Sequence, residues 1–284
     1  MTELMLSLAK LARDLSRRLR FVSRPLGKLI YGFYENWLYT QISDGPMPKH
    51  IAIIPDGNRR WARSQGFDVN VGHEVGYERL EEVLKWLWEL GVKVVTVYAM
   101  SYENCIKRSE EEKTHLFNLM KKGVDRFISE RVLEKHRVRV RFLGRLDIIP
   151  EDLRSEIRRI EELSSQYSEK FLNVALCYGG RQEIVDAVRV LAEDVREGRV
   201  RVDEISEELF MKYLPGASHF PTSGLSEPDL VIRTSGELRI SNFLLWHIAY
   251  SELYFCDVFW PEFRRIDLLR AIRAYQRRQR RFGA

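Results

Sequence analysis

Long uncharged apolar runs are missing from this 284-residue chain. A helix that crosses a membrane needs about 18 or more such residues in a row. The longest candidates, Phe171 to Gly180 and Ile240 to Ser251, are shorter and bounded by charge. At the N-terminus Lys and Arg interrupt the leucines every few positions, so the continuous apolar stretch of a secretory signal is lacking. These absences predict a soluble, cytoplasmic protein. Internal repeats and low-complexity tracts are also lacking. With 45% hydrophobic and 31% charged residues, the composition is that of a folded domain rather than a disordered chain.

Cysteine is scarce: Cys105, Cys177 and Cys256 stand far apart, in no metal-binding or disulfide spacing. An odd number without a secretory signal predicts reduced thiols, filling space in or near the core. The usual nucleotide signatures are absent as well. There is no G-x-x-x-x-G-K-[ST] loop and no G-x-G-x-x-G fingerprint, which argues against nucleotide-dependent chemistry. There is no H-E-x-x-H pair, and the six histidines form no ligand cluster.

Positive charge is present but confined. The net charge is +5, yet residues 1–28 carry +5 and residues 264–284 carry +7, leaving −7 for the rest. The main body has no basic stripe interleaved with aromatics, so a nucleic-acid groove is not expected. Leu4, Leu8, Leu11, Leu15 and Leu19 recur at helical spacing, beside Lys10, Arg13, Arg17, Arg18 and Arg20. This basic amphipathic helix suits either an anionic membrane surface or packing on the body or a partner chain. Pro25 ends it, and a second helical stretch follows through Leu29, Ile30, Phe33 and Trp37. Residues 1–45 thus form a helical extension, and 46–284 a single domain.

In that domain, short apolar runs alternate with helical patterns. Strands are expected at His50 to Pro55, Val92 to Met100, Val138 to Leu143, Leu172 to Tyr178, Leu230 to Arg233 and Leu253 to Phe259. Helices are expected from Arg59, over Leu80 to Leu90, Glu110 to Lys135, up to Tyr167, over Arg181 to Glu197 and over Asn242 to Ala249. This alternation predicts an α/β fold with a mostly parallel central sheet flanked by helices. Sites in such folds lie at the carboxyl ends of the strands.

Four clusters occupy those ends: Asp56 to Trp61, Ser101 to Asn104, Tyr178 to Arg181 and Arg233 to Glu237. Gly57 lets a ligand approach the backbone where a helix begins, and a helix start favours an anion. Arg59 and Arg60 offer bidentate donors for phosphate, and Asp56 offers a hard oxygen for Mg²⁺. A second anion site gathers Arg233, Arg239 and Ser241, with Ser241 as N-cap of the following apolar helix. Glu252 is a candidate second metal ligand. One Asp-Gly is usually only a turn, and one arginine usually only a surface ion pair. Four such clusters at matching strand ends point instead to a transferase joining two phosphorylated substrates.

The sequences His50 to Trp61, Gly72-His73, Ser101 to Asn104, Asn173 to Ala175, Tyr178 to Arg181, Asp229 to Glu237, Arg239 to Trp246 and Tyr250 to Phe255 resemble the cis-prenyltransferases, the undecaprenyl diphosphate synthase family. The likeness runs from about residue 46 to the end, and Asn58-Arg59-Arg60 with the long extension resembles archaeal and eukaryotic members. The D-D-x-x-D motif of trans-prenyltransferases does not occur. The resemblance implies addition of isopentenyl diphosphate to an allylic diphosphate, farnesyl or geranylgeranyl, giving a cis-polyprenyl chain that grows into an apolar tunnel. It implies Mg²⁺ on Asp56, the allylic diphosphate on Gly57, Asn58, Arg59, Arg60 and His73, and Trp61 near the allylic chain. Ser101, Glu103 and Asn104 would line the reacting centre, Asn104 near the departing proton; Tyr102 and Ile240 join the substrate-binding set from the same motifs. Arg233, Arg239 and Ser241 would hold isopentenyl diphosphate. Glu252 would complete the metal site from the partner of a homodimer, and Arg281-Phe282-Gly283 would also reach the partner's site. Expected tunnel walls are Leu80, Leu84, Leu87, Leu116, Phe117 and Met120. The sequence departs from the family at Cys105 and Val69, and Ile106 shifts the next basic residue, so either Lys107 or Arg108 takes a phosphate contact, with Arg108 favoured. The rival expectation is a non-catalytic partner subunit; such subunits lose the aspartate and the Asn-Arg-Arg run that this chain keeps.

Overall fold

The computed structural model describes residues 31–214 and 227–278. The leucine stripe, Pro25, Leu29 and Ile30, and the Arg281-Phe282-Gly283 terminus lie outside the described residues. Six strands, β1 (His50–Ile54), β2 (Val94–Ser101), β3 (Val138–Leu143), β4 (Lys170–Tyr178), β5 (Leu230–Arg233) and β6 (Glu252–Phe255), form one sheet in the order β3-β4-β2-β1-β5-β6. Every pairing is parallel. Buried parallel strands read as near-continuous runs of Val, Ile and Leu, which is why the short apolar runs were legible as strands. In β1, Ile51 and Ile53 enter the main core, while Ala52 and Ile54 enter the smaller core on the opposite face.

The helices are α1 (31–42), α2 (Asn58–Ser64), α3 (Val69–Glu89), α4 (Tyr102–Lys107), α5 (Glu110–Ser129), α6 (Val132–His136), α7 (Glu151–Ser164), α8 (Gly180–Arg196), α9 (Glu207–Tyr213) and α10 (Arg265–Arg277). Side-chain caps start several of them: Asp68 accepts from the Asn70 amide at 2.8 Å, and Ser109 accepts from the Glu112 amide at 3.3 Å. Helix α1 buries Leu38 and Ile42 in the main core, and Arg270 of α10 stacks 5.2 Å over the Tyr34 ring. None of the described helices is long and apolar enough to cross a membrane.

The structure corrects four expectations. The charged helix expected over Glu110 to Lys135 is two helices, because Arg131 adopts a left-handed φ of 55° between them. Strand β6 stops at Phe255, four residues early, where the chain turns back to lay Phe259 and Trp260 beside β1. Asn242 to Ala249 is a series of turns rather than a helix, so Ser241 caps nothing. Ser241, Asn242 and Leu244 all take positive φ, and the Asn242 carbonyl serves Gly180 N at 2.7 Å instead of a helical turn. Lastly, Cys105 and Cys177 form a disulfide, with Cα atoms 5.5 Å apart. They lie 72 residues apart in sequence, but β2 pairs with β4, and α4 folds from the end of β2 onto β4. Only Cys256 keeps a free thiol, which burial, reinforced by Asp267, pushes up to about 11.

Candidate active site

The carboxyl end of β1 delivers Pro55 and Asp56 to a polar pocket. Gly57, Asn58, Arg59, Arg60 and Arg63 line it from the turn and α2, His73 from α3, Arg108 from the end of α4, and Glu237 and Arg239 from the loop after β5. Gly57 has φ 108°, and a Cβ there would lie 2.8 Å from the Phe259 ring, so both the turn and the packing require glycine. Gly76 lets α3 approach α2: its Cβ would meet Asn58 Oδ1 at 2.5 Å.

Three carboxylates, Asp56, Glu237 and Glu112, take Arg59, Arg60, His73, Arg108 and Arg239 of the pocket. Asp56 Oδ2 accepts from Arg233 Nη2 at 2.8 Å and lies 3.4 Å from Arg60 Nη2. The Asp56 carboxyl is held below the usual carboxylate range: burial works to raise it, but the hydrogen bond and charge of Arg233, with Arg60, outweigh burial. Glu237 takes Arg60 at 3.1 Å on one oxygen and Arg239 at 2.6 Å on the other. Glu112 Oε1 takes His73 Nε2 at 3.1 Å, Arg108 Nη1 at 3.1 Å and Arg59 Nε at 3.8 Å. Asn58 Oδ1 and Arg108 Nε are buried without a hydrogen-bond partner.

The polar pocket shares Pro55, Asn58 and His73 with an apolar cavity. This cavity runs between α3 and α5, over Val97, Ala99, Val174 and Leu172 of the sheet, towards Phe127 and Ile160. A dense patch of phosphate-type donors therefore opens directly into space suited to a hydrocarbon chain.

Residues 54–283 match the family model described as "Putative undecaprenyl diphosphate synthase". The chain is 50% identical over 269 residues to the tritrans,polycis-undecaprenyl-diphosphate synthase (geranylgeranyl-diphosphate specific) of Methanopyrus kandleri, covering 94% of this chain and 97% of the relative. It is 48% identical over 263 residues to the corresponding GGDP-specific synthase of Sulfolobus acidocaldarius, covering 93% and 98%. Among solved structures, lavandulyl diphosphate synthase from Lavandula x intermedia, in complex with dimethylallyl diphosphate, superposes with a TM-score of 0.79 at 34% identity, over 84% of this chain and 99% of that one. A probable undecaprenyl diphosphate synthase from Campylobacter jejuni gives 0.66 at 28% identity, over 84% and 100%. The chain belongs to the undecaprenyl diphosphate synthase family. It is a cis-type prenyltransferase.

In this prenyltransferase, Asp56, Gly57, Asn58, Arg59, Arg60, His73, Arg108 and Arg239 meet around the polar pocket. Arg108 lines it, while Lys107 is exposed. Arg233 and Ser241 stand behind Asp56: Arg233 Nη1 donates to Ser241 Oγ at 2.7 Å and also to the Arg239 carbonyl. Trp61 faces Phe67 at 6.0 Å, and Ile240 packs on the smaller core. Ser101 caps α4 through the Asn104 amide at 3.1 Å, Tyr102 opens that helix, and Glu103 accepts from Asn242 Nδ2 at 3.0 Å. Glu252 is not brought to Asp56. It pairs with Leu230, at the opposite end of the sheet from Arg233, and binds Arg278 at 2.7 Å.

Of the expected tunnel walls, Leu80, Leu84, Leu116 and Met120 line the cavity. Leu87 is fully buried core, and Phe117 packs against it. Sequence reasoning placed Thr234 in the Arg233 to Glu237 cluster but gave it no role of its own; the residue exchanges hydrogen bonds with the Asp56 backbone at 2.9 and 2.7 Å, and Arg63 was missed. Trp260, whose indole donates to the Gly76 carbonyl at 2.7 Å beside the cavity, was also missed. Glu112 was missed too, because it stands third in a run of three glutamates that reads as ordinary helix-start charge.

Proposed function

We propose that this synthase is Mg²⁺-dependent and condenses isopentenyl diphosphate sequentially onto an allylic diphosphate, giving a long cis-polyprenyl diphosphate of undecaprenyl length that serves as precursor of a glycosyl carrier lipid. The observation that carries this reading is the continuity of the arginine-lined pocket with the apolar cavity through Pro55, Asn58 and His73. The names of the archaeal relatives favour geranylgeranyl diphosphate as primer over farnesyl diphosphate.

Arg59, Arg60 and Arg108 hold the allylic diphosphate, and Arg233, Arg239 and Ser241 the isopentenyl diphosphate. Alignment of the two substrates supplies much of the acceleration and sets the cis geometry. The allylic C–O bond breaks, the isopentenyl double bond attacks that carbon, and one proton leaves near Asn104. The arginines stabilise the charge that grows on the leaving diphosphate.

Among the described residues no three His, Cys, Asp or Glu side chains gather as a metal cage. One ionised carboxylate beside a phosphate pocket fits Mg²⁺, which is commonly held by one or two carboxylates with substrate phosphates and water. Asp56 is that carboxylate, and bound Mg²⁺ would supply further neutralisation of the diphosphate charge. Glu252, remote from Asp56 in its own chain, fits a role across a homodimer. The basic N-terminal segment fits peripheral contact with an anionic membrane at its inner, cytoplasmic face; vesicle binding that survives deletion of residues 1–24 would remove that part of the reading.

Purified protein incubated with labelled isopentenyl diphosphate and Mg²⁺ should yield a polyprenyl ladder, longest with geranylgeranyl diphosphate and abolished by EDTA. A ladder unaffected by EDTA would contradict the metal dependence, and a better yield with farnesyl diphosphate would contradict the primer.

A further inference from the structure

Glu112 lines neither the polar pocket nor the apolar cavity, yet three of the pocket's donors converge on its Oε1 atom. We propose that Glu112 is a positioning residue for the allylic diphosphate: it fixes His73 and Arg108, and keeps the looser Arg59 nearby, at the junction of pocket and tunnel without touching the substrate. The inference rests on the proposed function.

The cluster is not an ordinary surface ion pair. The side chains of Glu112, Arg108 and His73 retain only 14%, 17% and 6% of their exposure, so their attractions are little screened. Glu112 itself is anchored, since Ser109 Oγ accepts from its amide in the first turn of α5. Arg59 is different: it is 45% exposed and 3.8 Å away, loosely held and able to turn to an incoming phosphate.

Helix α5 adds a second role. Leu116 and Met120, both lining the cavity, follow Glu112 at intervals of four and so share its face of the helix. One rigid helix face thus carries the carboxylate that sets the head-group donors and the side chains that wall the hydrocarbon. Along that face the carboxylate and the wall residues are spaced by the helical rise, about 6 Å per four residues.

The test is binding and steady-state kinetics of Glu112→Ala, Glu112→Gln and wild type. An unreactive thiolo analogue of geranylgeranyl diphosphate probes the allylic site, and isopentenyl diphosphate is varied separately. Glu112→Ala should weaken the analogue by about ten- to a hundredfold, the loss of one or two charge-assisted contacts. The KM for isopentenyl diphosphate should stay within about twofold, because only one substrate's donors are disturbed. Glu112→Gln keeps the acceptor oxygen and should recover part of the loss; where the alanine variant melts early, the glutamine variant is read alone against the same criteria. Unchanged analogue binding, or equal weakening of both substrates, would overturn the proposal. A wild-type chain that binds no allylic diphosphate would overturn the proposed function, and this inference with it.

Discussion

Arg233 donates from Nη2 to Oδ2 of Asp56 at 2.8 Å, and the two differ sharply in exposure: 5% for the arginine side chain, 31% for the carboxylate. The arginine is thus the buried member, and the aspartate the one that meets the pocket. Deleting the carboxylate strands a buried guanidinium, whose Nε already lacks a partner. Asp56→Ala should cost on the order of 1–3 kcal/mol of stability, discounted from the fully buried case because Asp56 is partly in water. Asp56→Asn, which keeps an acceptor, should cost less. Urea denaturation of the three proteins checks the order.

Ala99 of β2 lines the apolar cavity that meets the polar pocket at Pro55, Asn58 and His73, the space proposed for the growing chain. A phenylalanine at that position would fill part of the cavity at an overpacking cost of about 1–3 kcal/mol. Ala99→Phe should therefore shorten the longest product while the first condensation continues. Chromatography of the dephosphorylated products reads the shift; an unchanged ladder would place the chain elsewhere.

The Cys105–Cys177 disulfide closes a 72-residue separation and ties α4, which bears Glu103 and Asn104, to the end of β4. Chain-entropy arguments assign such a loop about 4 kcal/mol. Thiol titration in denaturant should find one reactive cysteine, Cys256, before reduction and three after it. Reduced protein should melt at a lower temperature.

Acid should loosen the cluster on Glu112. Burial, ahead of the opposing pull of Glu112, holds the His73 imidazole below its ordinary 6.5. The folded state then binds fewer protons than the unfolded state, so stability falls as pH drops below about 6.5. Glu112 adds the same sign lower down: burial works to raise its carboxyl, Arg108, His73 and Arg59 outweigh it, and the contribution disappears as pH falls through a value below 4.5. His73→Gln should flatten the limb of the melting curve near pH 6 and leave the lower limb in place.

The sheet and the polar pocket were largely legible because both depend on short-range pattern. Asp56 to Arg60 follow a buried strand directly, and a strand end in a parallel sheet is a fixed address. The segment after Ser241 was not legible. Its apolar residues carry helical spacing, but Asn242 gives its backbone and side chain to Gly180, Arg181 and Glu103, and three positive φ angles result. Glu112 and the disulfide were hidden for another reason. Each depends on which elements become neighbours, α5 with α3 and β2 with β4, and local periodicity carries no such information.

The most direct measurement is incorporation of labelled isopentenyl diphosphate into polyprenyl product by wild type and Asp56→Asn, at saturating geranylgeranyl diphosphate and Mg²⁺, with melting curves recorded beside it. The account predicts elongation by the wild type and its near-complete loss in a variant that remains folded. Elongation by Asp56→Asn at the wild-type rate, or none by the wild type with any allylic primer, would contradict it.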